Sequence, residues 1–389
     1  MAQALDHVRI LDLSWGCAGP LGVLLMAEHG ADVIKVEPPG GDPFRAYQGY
    51  KAWTRSRRSV TCDLKSTAGR DALVRLAGSA DVVVESFRPG VMDRLGVGFE
   101  VLARANPRLV YCAIPGYPSE HPLADRPGWD ALVQAASGQQ WEQPGWRPGP
   151  IFLHMPMPSM AALFLCASGV LAALHARERT GRGQRVDTSL LQGAFLYTTM
   201  IWEEIEHADD SFHALMAKTD PPGIHQPMIY ECKDHQFLHL SVLSGLAPKR
   251  AQEEITGAPE SPLQLETVHW TPEERAELAR RQREAFKDHD RDTLVAELQA
   301  ANYAVEAIIT ADEALTRPHP QLAANRMIAE VDDRDLGSTT EIGVPIHLQG
   351  TPGSIRGPQP AVGEHDQEVW GDELGYTPDE IASITGARP

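Results

Sequence analysis

Val8-Arg-Ile-Leu-Asp-Leu13, Pro20 to His29 and Asp32-Val-Ile-Lys-Val36 form the stretch whose reading decides the fold. The outer segments are short aliphatic runs and read as strands. The segment between them is helical in pattern and ends at Gly30, a residue type that closes helices with a left-handed C-cap. Pro38-Pro39-Gly40-Gly41 stops the second strand. The alternation then continues. Gly69 to Leu76 reads as helix, Asp81-Val-Val-Val84 as strand, Phe99 to Ala105 as helix and Leu109-Val-Tyr-Cys-Ala-Ile114 as strand. Strands alternating with helices at this spacing imply an α/β protein, a parallel sheet with helices on its faces. The first strand–helix turn carries no GxGxxG, which argues against a nicotinamide-dinucleotide site.

Further along, Pro158 to Arg179 reads as one long helix, with a proline at its start and Gly181-Arg-Gly183 at its end. Val186-Asp-Thr-Ser-Leu-Leu191 opens another strand or helix. From about Ser211 the composition shifts, and Asp220-Pro-Pro-Gly223 has the make-up of a linker. Met228-Ile-Tyr-Glu-Cys232 and Phe237-Leu-His-Leu-Ser-Val242 flank Lys233-Asp-His-Gln236 and predict a hairpin. Thr271 to Ala300 is charged and helical, so the middle of the chain is a candidate second domain, bounded by Pro318-His-Pro320. The tail is Gly/Pro-rich and extended from Gly350 to His365. It closes with helical stretches at Asp366 to Gly375 and Thr377 to Thr385.

The bulk numbers set limits on function. A chain of 389 residues fits two domains better than one. Its 42% hydrophobic and 23% charged content is that of a soluble globular protein. A net charge of -18 argues against nucleic-acid and anionic-membrane surfaces. An anionic small ligand needs only a local basic pocket and stays open. The five cysteines are widely spaced with no CxxC, which points to a reducing cytoplasm rather than a disulfide framework or zinc site. The fifteen histidines form no HxH or HExxH, so no metal is expected. The N-terminus has no signal-peptide pattern. The longest apolar run, Met160 to Leu174, is about 15 residues against the ~20 that span a bilayer, so no membrane segment is expected.

Several blocks together resemble the family III CoA-transferases, the group containing formyl-CoA transferase, carnitine CoA-transferase and 2-methylacyl-CoA racemase. They are Val8 to Ser14 with Ala18-Gly-Pro20, Gly30 to Asp42, Asp81 to Gly90 with Asp93-Arg94-Leu-Gly96, Arg126-Pro-Gly-Trp-Asp130 with Gln134-Ala-Ala-Ser-Gly138, His175 to Gln184, and Gly350-Thr-Pro352 with Gly363-Glu-His365 and Leu374-Gly375-Tyr376. The resemblance implies a Rossmann-like large domain built from both chain ends, with a smaller α+β middle domain. Its expected parts are residues 1–205, then 206–318 as the small domain, then 319–389 returning to the large one. It also implies an interlocked dimer, either a homodimer or a heterodimer with an aspartate-bearing paralogue. Acyl-CoA and an organic acid are its substrates, and no cofactor is held covalently.

By the same resemblance, CoA contacts fall on Ser14, Trp15 and Cys17 after the first strand, on Lys35 and Pro38, and on Arg88 and Arg94. The turn glycines serve geometry or backbone approach alike. Arg55, Arg57 and Arg58 form a charge run, read either as a solvated face or as a phosphate attractor. Cys17 is either a substrate contact or a small buried apolar residue. Trp129 stands where racemase-like members carry an acid/base histidine, and an indole cannot shuttle a proton from carbon. Asp130 is an orienter or general base, or else a cap or ion-pair partner of Arg126. Ser159 falls where the family carries its nucleophilic aspartate, and no Asp or Glu lies between Glu142 and Glu178. A serine ester cannot be exchanged into an enzyme-bound CoA thioester, so Ser159 is a helix cap beside Pro158, or a nucleophile that needs a base such as His154. The function expected is that of a CoA-transferase family protein acting on an organic-acid CoA thioester, as the aspartate-lacking subunit of a heteromer. The alternatives are a lyase, isomerase or hydrolase on the same fold, or a non-catalytic CoA-thioester binder. Trp15, Trp129, Met155 and Met157 hint at an apolar or aromatic acyl group. The expectation that the chain alone cannot complete the exchange holds only if no other acidic side chain stands in the site.

Overall fold

The computed structural model describes residues 2–142, 149–207, 229–241, 251–259, 270–316 and 320–387. The linker at Asp220 to Gly223, the shift at Ser211 and the Pro318-His319 boundary lie outside them. The chain divides into two compact units. One comprises Met1–Gln140, Phe152–Thr198 and Gln321–Pro389, the other Trp141–Ile151 and Thr199–Pro320.

In the first unit the order is β1 (Arg9–Asp12), α1 (Ala18–Ala27), β2 (Asp32–Glu37), β3 (Arg58–Thr61), α2 (Thr67–Ala77), β4 (Val82–Glu85), α3 (Phe99–Ala105) and β5 (Val110–Ala113). Then come α4 (Asp130–Ala136), α5 (Met157–Thr180), β6 (Arg185–Asp187) and α6 (Leu190–His207), of which the residues after Thr198 belong to the second unit. The six strands pair in parallel in the order β3-β2-β1-β4-β5-β6. This is the α/β sheet that the strand–helix alternation predicts. The order reverses between β1 and β4, and at such a point the carboxyl ends of the strands leave a crevice for ligands.

The central strands β1, β2, β4 and β5 are buried on both faces, which is why they are rich in aliphatic residues. Ile10, Val82, Val84, Val110 and Cys112 point to one side, against α1 and α5. Leu11, Ile34, Val60, Val83 and Tyr111 point to the other, against α2, α3 and the tail residues Trp370 and Ile384. Ser66 caps α2 by accepting from the Gly69 N–H at 2.9 Å, and left-handed Gly181 ends α5. With 24 residues, α5 is long and apolar enough to cross a membrane. Ala162, Cys166, Val170 and Ala173 nevertheless bury one side of it in the core. It lies close to α1 at Gly22, where a Cβ would meet the Leu163 carbonyl at 3.0 Å and Cys166 Sγ at 3.1 Å.

The second unit has an antiparallel sheet, β7 (Ile229–Glu231), β8 (Phe237–Ser241) and β9 (Ala304–Ile308). The first two strands form the predicted hairpin. The stretch read as charged and helical consists of two helices, α7 (Pro272–Phe286) and α8 (Arg291–Ala300). Tyr230 stacks on Phe286 with ring centroids 4.0 Å apart, in a core with Leu238, Leu240, Leu294 and Leu298. After it the chain rejoins the first unit through the hairpin β10 (Ile328–Asp333) and β11 (Gly337–Ile342). It finishes with a π-helical turn at Gln367–Glu373 and with α9 (Pro378–Thr385).

The arginine run is not a solvated face. Arg55 is buried and pairs with Glu28 at 2.6 Å and Glu341 at 2.7 Å. Arg57 is buried on Asp12 at 2.6 Å. Arg58 pairs with Asp32, Glu368 and Glu373. These are internal ion pairs, and several of them tie the sheet to the tail.

Candidate active site

A cleft of about 450 Å³ opens at the switch point, within the range of small-molecule sites. Its floor comes from the loops after β1, β4 and β5. The Trp15 N–H donates to Ser86 Oγ at 2.7 Å, and the Ser86 hydroxyl donates back to the Trp15 carbonyl at 3.1 Å. These two bonds hold the first two loops together. Trp15 packs edge-on to Phe87, centroids 5.3 Å apart. Gly116, beyond β5, lies against Gly128 so tightly that a Cβ on either would overlap the other's backbone. That close approach carries Trp129 and Asp130, the start of α4, into the cleft.

At the other side α5 begins, and Ser159 lies in its first turn. A helix start leaves backbone N–H groups without intrahelical partners and carries a positive end. Asp130 fills this need. Its Oδ1 accepts from the Ser159 N–H at 2.8 Å and its Oδ2 from the Ser159 hydroxyl at 2.7 Å. Asp130 therefore pairs with Ser159 rather than with Arg126, and the cleft does contain a carboxylate. Both line the cleft; Ser159 is only 3% exposed, whereas Asp130 is half-buried. Ser159 caps nothing of its own helix. His154 is exposed, edge-on to Phe152, and the hydroxyl that it was expected to activate is held by Asp130.

Cys17 also borders the cleft. Burial pushes its thiol up to about 12, the Asp130 charge adds to the rise, and a hydrogen bond with Ser159 opposes it. The thiol stays protonated at neutral pH and is no nucleophile. Trp129 is 58% exposed, and its ring stands 5.9 Å from that of Phe44. With Trp15 and Trp53 these rings give the cleft aromatic walls.

The remaining expected contacts divide. Arg88 borders the cleft, is exposed and donates to the Asp125 carbonyl at 2.7 Å. Arg94 is exposed on the turn Val91–Arg94, and Pro38 begins the turn closed by the Gly41 N–H at 2.9 Å. Neither lines the cleft. Lys35 and Ser14 are corrections. Lys35 is 2% exposed, lies 3.1 Å from Asp42 and donates to the Ser14 carbonyl. The Ser14 hydroxyl is buried on Asp12. An ammonium held in this way cannot reach a phosphate without abandoning buried carboxylates. Its place is structural, beneath the loop that carries Phe44. Sequence reasoning missed Phe44, Trp53, Ser86 and the Gly116–Gly128 contact. Phe44 had a signal, since it stands two residues after the Pro38-to-Asp42 turn, but the glycine contact joins positions that nothing local relates.

A model of CoA-transferase family III matches residues 5–366. The succinyl-CoA–D-citramalate CoA-transferase of Chloroflexus aurantiacus is 32% identical across 99% of this chain and 98% of that protein. The succinyl-CoA–L-malate CoA-transferase beta subunit of the same organism is 30% identical across 99% and 97%. Among solved structures, Rv3272 from M. tuberculosis superposes with a TM-score of 0.78 at 28% identity, covering 94% of this chain and 98% of that one.

Proposed function

The chain belongs to CoA-transferase family III and is an enzyme that acts on organic-acid CoA thioesters, and from that premise we propose that it moves CoA between carboxylic acids, with an apolar or aromatic acyl group in the cleft. The observation that carries this reading is the cleft itself. Trp15, Phe44, Trp53 and Trp129 wall it, Asp130 is its carboxylate, and Arg88 is the one cationic residue among the described lining. A dicarboxylate acyl group would leave its far carboxylate against indole and phenyl rings, at a desolvation cost. An aryl or alkyl group gains about 25 cal/mol per Å² buried there. The test is CoA exchange by the purified chain with phenylacetyl-CoA or succinyl-CoA as donor and acetate as acceptor. We expect kcat/KM to favour the phenylacetyl donor by at least about tenfold, roughly 1.4 kcal/mol. A preference for succinyl-CoA would overturn the substrate class.

A second reading is supported by the likeness to a beta subunit. Here the residue at position 159 has lost the family's carboxylate, and this chain serves as one subunit of a heteromer beside an aspartate-bearing paralogue. Exchange by the chain alone separates the two readings. An interlocked homodimer belongs to the first and a mixed dimer to the second, and the mass of the native complex tells them apart.

A further inference from the structure

We propose that Asp130 is the covalent CoA carrier of this enzyme and that Ser159 is its oxyanion donor, the serine acting through hydrogen bonds and never as a nucleophile. This rests on the reading that the chain transfers CoA by itself. Three observations support it. Asp130 and Ser159 both line the cleft, but Asp130 is half-buried whereas Ser159 is only 3% exposed. Both donors of Ser159 aim at the two Asp130 oxygens, at 2.8 and 2.7 Å. The Cys17 thiol beside them is held protonated and does not compete as nucleophile.

The steps are those the family resemblance implies for a nucleophilic aspartate, and these contacts assign their atoms to Asp130 and Ser159. Asp130 Oδ2 attacks the thioester carbonyl carbon of the donor. The C–S bond breaks, its electron pair leaves with sulfur as CoA thiolate, and a mixed anhydride remains on Asp130. The thiolate then attacks Asp130 Cγ, and negative charge gathers on Oδ1. That oxygen already faces the Ser159 N–H at the positive start of α5, so the donor is in place before the charge develops. The bond from Cγ to the bridging oxygen breaks, and its pair leaves with the first acid, which carries Oδ2 away followed by the Ser159 hydroxyl. Asp130 is now a CoA thioester. An acceptor carboxylate attacks Cγ and expels thiolate. The thiolate attacks the acceptor's carbonyl carbon, which releases the new CoA thioester and a restored Asp130 carboxylate. No oxidant and no net proton are required. Thioester and anhydride keep the acyl group activated throughout, which an ester on Ser159 would not.

The test is reduction during turnover. The full chain is incubated with phenylacetyl-CoA and acetate, treated with borohydride, and peptide-mapped by mass spectrometry. Borohydride reduces an aspartyl thioester to homoserine, which we expect at position 130. Exchange should fall at least about 1000-fold in Asp130→Asn. In Ser159→Ala it should fall about 10- to 100-fold in kcat with the label still at 130. Asp130→Glu, which keeps the charge, controls for folding through an unchanged melting temperature. Exchange in wild type with reduction at another residue, or undiminished exchange in Asp130→Asn, overturns the carrier assignment and leaves the transferase reading intact. Absence of both exchange and label in wild type, with the CoA ester still bound, overturns both.

Discussion

At the residue scale the site turns on one carboxylate, Asp130, and its two hydrogen bonds with Ser159. Sequence places a hydroxyl at position 159 and an acid 29 residues earlier. Nothing local says that they touch. The structure joins them because a helix start demands acceptors and Asp130 is the acceptor within reach. Cys17 reports on the same cluster. With its thiol pushed up to about 12, it holds about a thousandfold less thiolate at pH 8 than an ordinary cysteine. Removing the Asp130 charge lowers that barrier, and removing the Ser159 hydrogen bond raises it. Iodoacetamide at pH 8 should therefore modify Cys17 fastest in Asp130→Asn, slower in wild type and slowest in Ser159→Ala, as read from peptide masses. Faster labelling in Ser159→Ala than in Asp130→Asn would mean that no carboxylate charge sits beside the thiol.

At the element scale, the parts that were legible are those that local physics determines. The strands at Asp32 and Asp81, the helix from Pro158 and its Gly181 cap were readable because aliphatic runs, proline and glycine act through their immediate neighbours. The break at Lys287–Asp290, between α7 and α8, carries no such signal, because charged composition continues across it. The cleft was half-legible. The loops after β1 and β4 lie where parallel sheets bind ligands, but the placing of α4 rests on the Gly116–Gly128 contact. This contact makes a prediction. Gly128→Val forces a side chain into the Gly116 backbone and should displace Asp130. We expect kcat to fall about 100-fold at a stability cost of about 1–3 kcal/mol. Gly49→Ala, at φ -61° with open space around it, should change neither. Normal turnover in Gly128→Val would detach the glycine contact from the chemistry. Circular dichroism confirms that the variant is folded.

At the scale of the whole molecule, the first unit is made from both ends of the chain, and the tail is part of its core. The resemblance implied this return of 319–389, whereas composition alone gives no sign of what the closing hairpin and helical stretches pack on. The ion pairs show it. Arg55 reaches Glu341, Arg58 reaches Glu368 and Glu373, and Lys51 reaches Asp333 at 2.8 Å. Each is a link between an N-terminal cation and a C-terminal acid, and together they explain an arginine run that composition alone presents as surface. The apolar share is larger. Trp370 is 0% exposed, and its indole N–H donates to the Thr61 carbonyl at 3.1 Å, next to β3 residues and α2. Trp370→Ala should lose about 3–5 kcal/mol through the cavity it leaves. Trp370→Phe, which keeps most of the volume and drops the hydrogen bond, should lose roughly 1–2 kcal/mol. Urea midpoints of the two variants measure the difference. If Trp370→Ala melts like wild type, the tail is an appendage rather than the second half of a discontinuous domain. The prediction then extends to the site, because β3, which Trp370 covers, pairs with β2 and β2 with β1, whose loop carries Trp15 and Cys17. A destabilised tail should therefore raise KM for the CoA ester before it abolishes the fold, and partial urea should mimic that rise in the wild-type chain.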